Sequence, residues 1–208
     1  MNVVEPGSPA ENIVARAKTL LLRPLEAWAA IDSETSTIES LYRGWVIPLA
    51  AIPAVCGTVR ELGFGGVQIF GIHYRPSFVG VIFEALLTYG LTLASVYVLA
   101  LVIDGFALRF EGERSRTQAF KLAAYSATAG WLAGAFLLLP AIGGLIQLLG
   151  GIYSLYLLYR GLPVLMRSDE DRTTPYFVMI LLATLVICLV IGSLASCVGG
   201  WGGPISID

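Results

Sequence analysis

One histidine, His73, stands in 208 residues, and the three cysteines, Cys56, Cys188 and Cys197, never approach CxxC spacing. A zinc centre needs clustered Cys and His ligands, so their scarcity argues against zinc enzymes and zinc fingers. HExxH, GxSxG, the P-loop and GxGxxG are also missing, and with them the common signatures of hydrolysis, nucleotide binding and hydride transfer. No catalytic residue, metal or cofactor is expected. Charge is scarce too: 13% of residues are Asp, Glu, Lys or Arg, where a soluble domain carries about a quarter. A net charge of -2 offers no basic footprint for nucleic acid.

What the chain has is apolar length, with 56% of its residues hydrophobic. A bilayer core about 30 Å thick takes ~20 mostly apolar helical residues. Five segments meet that need: 44–59, 78–103, 119–139, 141–166 and 176–198. The first is short and begins earlier, because "STIE" at 36–39 has the form of a capping box with Ser36 as N-cap and Glu39 reaching back. Between Lys121 and Arg160 no charge occurs, a stretch about twice what one crossing accepts, and Pro140 followed by Gly143 and Gly144 is the break that makes it a helical hairpin. The cysteines fall in or beside these runs as small apolar packing residues, with a Cys56–Cys197 disulfide as the alternative. His73 falls in the first loop, "GIHYRPS", as a surface or interfacial residue.

Lys and Arg sort to one side. With the N-terminus cytoplasmic, 11 of the cations fall inside and 2, Arg60 and Arg75, outside. Arg160 then reaches the cytoplasmic interface at the end of the fourth span, within "YSLYLLYRGLPVLM". An arginine costs roughly 2.5–3.5 kcal/mol at the bilayer centre and much less near a helix end, where it snorkels. It reads either as a topological anchor or as the partner of a carboxylate on another helix. Asp104, at the cytoplasmic end of the second span, is the candidate for pairing with Arg160 or Lys121.

The predicted fold is therefore an all-α polytopic bundle of five transmembrane helices, N-terminus cytoplasmic and C-terminus outside. Residues 1–36 form a cytoplasmic segment, 37–198 the bundle and 199–208 a flexible non-cytoplasmic tail. Within the first segment Ile13, Val14, Ala17, Leu20 and Leu21 share one helical face. Leu25, Trp28 and Ile31 continue it past a kink at Pro24, while Arg16, Lys18 and Arg23 lie off it. This amphipathic helix fits either the membrane interface or the protein's own cytoplasmic side. Rows of small residues, Ser126, Gly130 and Gly134 in the third span and Gly143, Gly150 and Gly151 in the fourth, predict close helix packing within the bundle, or self-association.

Glu84 stands inside the second span, followed by Thr88, Thr92 and Ser95 at near-helical spacing. An ionisable residue at membrane depth faces protein or water and is a functional candidate by default. It reads as a proton or cation site, or as a carboxyl satisfied near the outer interface.

Several stretches, taken in order, resemble the Yip family, the Ypt/Rab-interacting five-span membrane proteins, in its bacterial form. "LLLRPLEAWAAIDSE" is similar to the Pro, Trp and Ile pattern ahead of the first span. "LYRGWVIPLAAIP" resembles the entry to that span, with Leu41, Tyr42 and Gly44 echoing a Leu-Tyr-Gly element. "FKLAAYSATAGWLAG" is similar to the opening of the third span through Lys121, Tyr125 and Ser126. The fourth-span ending is carried by Tyr153, Tyr156, Tyr159, Gly161 and Leu162. The resemblance covers about residues 11–195 and implies five spans with the N-terminus inside. In eukaryotes the family implies membrane traffic through Rab partners, which a bacterial member would lack. The expectation is a non-enzymatic protein of a bacterial cytoplasmic (inner) membrane, an adaptor, scaffold or membrane organiser. It would sit in the lipid bilayer and bind another membrane or cytoplasmic protein. Its cytoplasmic surface would comprise the N-terminal helix and the 104–118 and 167–175 loops. The alternative is a small transporter or channel for a proton, cation or small solute using Glu84. The sequence leaves the oligomeric state open.

Overall fold

The computed structural model describes residues 9–64, 68–69, 72–74, 78–199 and 205–207. Two helices open the chain, α1 (Pro9–Leu22) and α2 (Pro24–Ser33). The kink expected at Pro24 is the boundary between them: Pro24 has no N–H to continue α1, and its fixed φ suits the first turn of α2.

The chain then enters the first long apolar helix through α3 (Ile38–Leu41), one wide π turn (Tyr42–Val46) and α4 (Ile47–Phe64). The capping box lies one residue beyond the predicted one. Thr37 Oγ1 accepts from the Ser40 N–H at 3.2 Å, and Ser40 Oγ accepts from the Thr37 N–H at 3.1 Å. Glu39 is engaged instead with Arg43 at 2.8 Å, which leaves the shorter Ser40 to reach back. The π turn falls just ahead of Pro48, which cannot donate a hydrogen bond to the preceding turn, and the Ile47 N–H returns to Tyr42 O, five residues back.

A small antiparallel sheet follows, built from β1 (Gln68–Ile69), β2 (Ile72–Tyr74) and, from the far end of the chain, β3 (Ile205–Ile207). The order is β1-β2-β3, with Ile72 opposite Ile207. Helix α5 (Phe78–Phe106) ends in a 3-10 turn, Ala107–Phe110, and a left-handed Glu111. Then come α6 (Arg116–Ser126), α7 (Thr128–Ala133), a 3-10 segment (Gly134–Leu138), α8 (Gly143–Met166) and α9 (Glu170–Gly199). The predicted hairpin break at Pro140 lies in the turn before α8.

Among the described residues the chain is thus helical apart from the small sheet. Four helices there are long and apolar enough to cross a membrane: Ile38–Gly63, Phe78–Phe110, Gly143–Met166 and Asp171–Ala195. The segment expected to be the third of five spans is helical but broken at Ala127 and tightened from Gly134 onward, so it is not one continuous crossing helix. Its surroundings account for the tightening. A Cβ on Gly134 would sit 2.5 Å from Pro53 Cβ, and one on Gly150 would overlap Ala133 Cβ. Both glycines are seams where backbones meet inside this chain, the close approach that small residues permit in lipid.

The core is not spread evenly along the bundle. Ala119 to Ser126 of α6 are all buried, together with Ile103, Leu157, Leu162, Met166, Tyr176 and Ile180 at the same end. The other end carries large exposed apolar side chains, among them Val79, Leu86, Leu145 and Leu189. Such a surface is costly in water and suited to acyl chains.

Candidate interaction site at the helical cap

Helices α1 and α2 cap the densely packed end. Leu20, Trp28 and Ile31 are fully or almost fully buried against the bundle, while Val14, Leu22 and Leu25 remain exposed. Trp28 occupies a slot whose floor is Gly161. A Cβ there would lie 2.7 Å from the Trp28 ring and 2.6 Å from Leu122 Cδ1. Tyr125 meets the Trp28 ring edge-on at 6.5 Å between centroids, and Trp45 packs on Tyr125 at 4.7 Å. The Trp45 indole N–H donates to Thr128 Oγ1 at 3.1 Å.

A polar clasp surrounds this slot. Lys121 is only 2% exposed, and its Nζ donates to Ile31 O at 2.9 Å and to Glu34 O at 2.6 Å. Those carbonyls lie at the C-terminal end of α2, where the last turn has unpaired acceptors and a partial negative charge. The lysine from α6 therefore caps a helix distant in sequence. Gln118 Nε2 donates to Asp32 Oδ1 at 2.8 Å, one turn before Lys121. Tyr153 Oη donates to Leu21 O at 2.7 Å and so holds the end of α1. Arg16 pairs with both carboxylate oxygens of Glu34 and donates to Tyr125 Oη at 3.0 Å. Hydrogen bonding to Glu34 raises the Arg16 pKa above its ordinary value, so the guanidinium stays charged at any working pH. Both partners are about one-third exposed, with side-chain values of 33% and 39%. Solvent screening limits such a pair, so Glu34→Gln is expected to cost less than about 1 kcal/mol in thermal unfolding of the detergent-purified protein.

The loops beside the cap are joined to it. Arg167, left-handed at φ 49°, reaches Asp32 at 3.5 Å and Glu113 at 3.4 Å. Glu113 N–H donates to Met166 O at 2.8 Å, and Arg172 pairs with Glu111 at 3.3 Å. These pairs are mostly solvent-exposed and add little stability, but they present one continuous charged surface. Leu108 projects from it, 66% exposed.

Several residues singled out from sequence meet here. Lys121, Tyr125 and Gly161 all touch the cap, and Ser126 is buried one position on, donating to Ala123 O. Tyr42 anchors the π turn by donating to Leu93 O at 2.8 Å. Gly44 is open, with nothing within 4 Å of where a Cβ would stand, and Tyr156 faces outward. Asp104 is buried and takes Arg114 as its partner at 3.3 Å, while Lys121 turns to α2. Arg160 joins neither Asp104 nor any other carboxylate among the described residues. Glu84, Thr88, Thr92 and Ser95 are half-buried on α5, away from the cap. Thr92 donates to Thr88 O at 2.8 Å and Ser95 to Thr92 O at 2.7 Å, so both hydroxyls are satisfied within their own helix. Cys56 and Cys188 are free thiols, and the side chains of Cys197 and His73 lie outside the described residues. Among the described residues no cluster of His, Cys, Asp and Glu is placed to hold a metal ion.

The slot partners Asp32, Glu34 and Gln118 carried no signal in the sequence, because the contacts that join α2 to α6 through them lie 86 and 87 positions apart. Trp28 had one: it is the bulkiest residue on the amphipathic face.

Comparison with known proteins matches residues 18–192 of the chain to the Yip1 domain, a span that includes Trp28, Lys121 and Gly161. The chain is similar to the inner membrane protein YohC of Escherichia coli K12, with 28% identity over 186 residues, 88% of this chain and 95% of that protein. The YohC of Escherichia coli O6:H1 matches to the same extent. No solved structure matches the chain.

Proposed function

The chain belongs to the Yip1 family, and on that premise we propose that it is a non-enzymatic adaptor or scaffold that engages another protein through its capped, charged end. It is an integral membrane protein of the inner membrane, as its relatives and its long apolar helices indicate. The observation that carries the adaptor reading is the construction of the capped end. Three segments distant in sequence, α2, the 107–115 turn and the start of α9, are tied into one surface by Arg167 and Arg172. A surface held in place before binding loses less entropy when a partner docks. Exposed Leu108 beside Arg109 supplies an apolar point in a charged rim, the composition that binding surfaces favour.

The layout in this reading is five crossings, with the broken α6–α7 segment as the third, the cap cytoplasmic and the C-terminus outside. Two observations support it. The cations divide 11 to 2 between the sides. Independently, β3 pairs with β2, which sets the end of the chain beside the loop between the first two long helices, opposite the cap. The transporter reading gains less support, since two of the three hydroxyls following Glu84, those of Thr92 and Ser95, donate within their own helix.

The test is a photo-crosslinker at Leu108 in native membranes. The expected result is one reproducible adduct, lost when Arg109 and Glu111 are both changed to alanine. A crosslinker at Leu189, on the lipid-facing surface of α9, serves as control. Identical adducts from both positions, or none from Leu108, would reject the reading.

A further inference from the structure

Beside the cap lies a cavity of about 460 Å³ that the adaptor reading does not use. It is lined by Leu25, Tyr159, Arg160, Pro163, Val164, Asp171 and Thr173. Its size falls within the range of small-ligand sites, about 300–1,000 Å³. Its walls carry opposite charges from different helices, Arg160 from α8 and Asp171 from the first turn of α9.

Arg160 is the unusual member. Its Nε is buried and has no hydrogen-bond partner among the described residues, and it joins no ion pair there. A guanidinium has five N–H donors in a fork that fits phosphate oxygens, and a buried donor without an acceptor costs about 1–3 kcal/mol. A ligand acceptor in the cavity would relieve that cost. Asp171 sets the second requirement: a purely anionic ligand would meet its carboxylate, whereas a ligand carrying both phosphate and ammonium satisfies both walls.

Position selects the source of such a ligand. Arg160 lies six residues before the end of α8, so roughly 9 Å along the helix axis from that end. With the cap at the membrane surface, that sets the Arg160 backbone near the inner edge of the headgroup layer, about 5–8 Å thick on each side, and the long side chain reaches the phosphates from there. Leu25 is 53% exposed at the rim and Tyr159 is 36% exposed, an apolar and aromatic border of the kind that meets acyl chains and headgroups. We propose that this cavity binds the headgroup of a zwitterionic phospholipid of the phosphatidylethanolamine type, its phosphate on Arg160 and its ammonium on Asp171. The site does not depend on the adaptor reading, since a lipid can bind whether or not a protein partner does.

Native mass spectrometry of the full-length protein in mild detergent tests it. The probes are phosphatidylethanolamine, phosphatidylglycerol and diacylglycerol with the same acyl chains, and soluble O-phosphoethanolamine. Wild type is expected to retain phosphatidylethanolamine at least fivefold over phosphatidylglycerol, and diacylglycerol hardly at all. Arg160→Gln should lower retention of both phospholipids about tenfold. Asp171→Asn should bring the two to parity. Leu25→Trp, which narrows the rim and leaves both charges, should lower retention of both, and it covers the case in which the arginine variant fails to fold. Arg60→Gln, an exposed cation at the far end of α4, should change nothing. Retention unaffected by Arg160→Gln and Leu25→Trp overturns the site. A preference that survives Asp171→Asn, or equal retention of diacylglycerol, overturns the headgroup assignment. Arg160-dependent binding of O-phosphoethanolamine without retention of the lipid overturns the membrane source.

Discussion

Gly161→Val is expected to expel the cap. The first added carbon would already meet Leu122 and both rings of the Trp28 side chain at 2.6–2.8 Å, and valine adds two methyls beyond it. Overpacking of this kind typically costs about 1–3 kcal/mol when neighbours can shift. Here they cannot shift freely, because Leu122 and Trp28 are both fully buried. The cheaper response is to lift α2 away, at the loss of the Trp28 contacts, a change of about 3–5 kcal/mol by comparison with Trp→Ala substitutions in cores. The helical backbone at Arg16 and Lys18 would then lose the protection of the docked cap, and tryptic cleavage there in membranes should speed up at least tenfold. Trp28→Ala in the same chain removes the clashing ring. The double variant should therefore lose less stability than the two single losses added together. Trypsin sensitivity equal to wild type in Gly161→Val would show that the slot does not hold the cap.

Lys121→Met is expected to loosen the same cap by a different route. Methionine fills much of the same space, so packing is largely kept. What goes is the donor to Ile31 O and Glu34 O. Leaving buried carbonyls without a partner costs about 1–3 kcal/mol, and the favourable charge at the α2 C-terminus is lost with it. Against this runs a gain, since no ammonium then has to be desolvated. The carbonyls decide the sign, because the lysine reaches both of them and a bare α2 end reaches none. The signature is local: amide exchange should rise across residues 31–41 and stay unchanged in α9. A variant as protected as wild type across that stretch would mean that water caps α2 equally well.

These two predictions rest on residues whose types stood out in the sequence but whose partners did not. Lys121, Tyr125 and Gly161 were visible as motif positions. Nothing in their spacing said that all three face Trp28 and the end of α2, since the contacts join α6, α8 and α2 across the bundle. Arg160 lies six residues before the end of α8, and Asp104, the carboxylate offered as the alternative partner of Arg160 or Lys121, pairs instead with Arg114, ten residues along the chain. Short loop closure makes that pairing cheap in entropy. The capping box moved by one residue because either of two side chains could reach back, and an ion pair to Arg43 removed one of them.

By itself the sequence determined the environment of this protein. Runs of ~20 apolar residues suit bilayer crossings, and the uneven placing of cations among the connecting segments supports the proposed layout. Those are properties of composition and order along the chain, and they need no knowledge of neighbours. Only the tertiary structure decided where the packed core lies, that the third apolar segment is a broken helix buried through α6 and most of α7, and that an amphipathic N-terminus closes over a lysine and a glycine. The physical reason is that lipid rewards an apolar surface wherever it faces. Helix-to-helix specificity must then come from backbone fit and hydrogen bonds between distant residues, and these exist only once the bundle has formed.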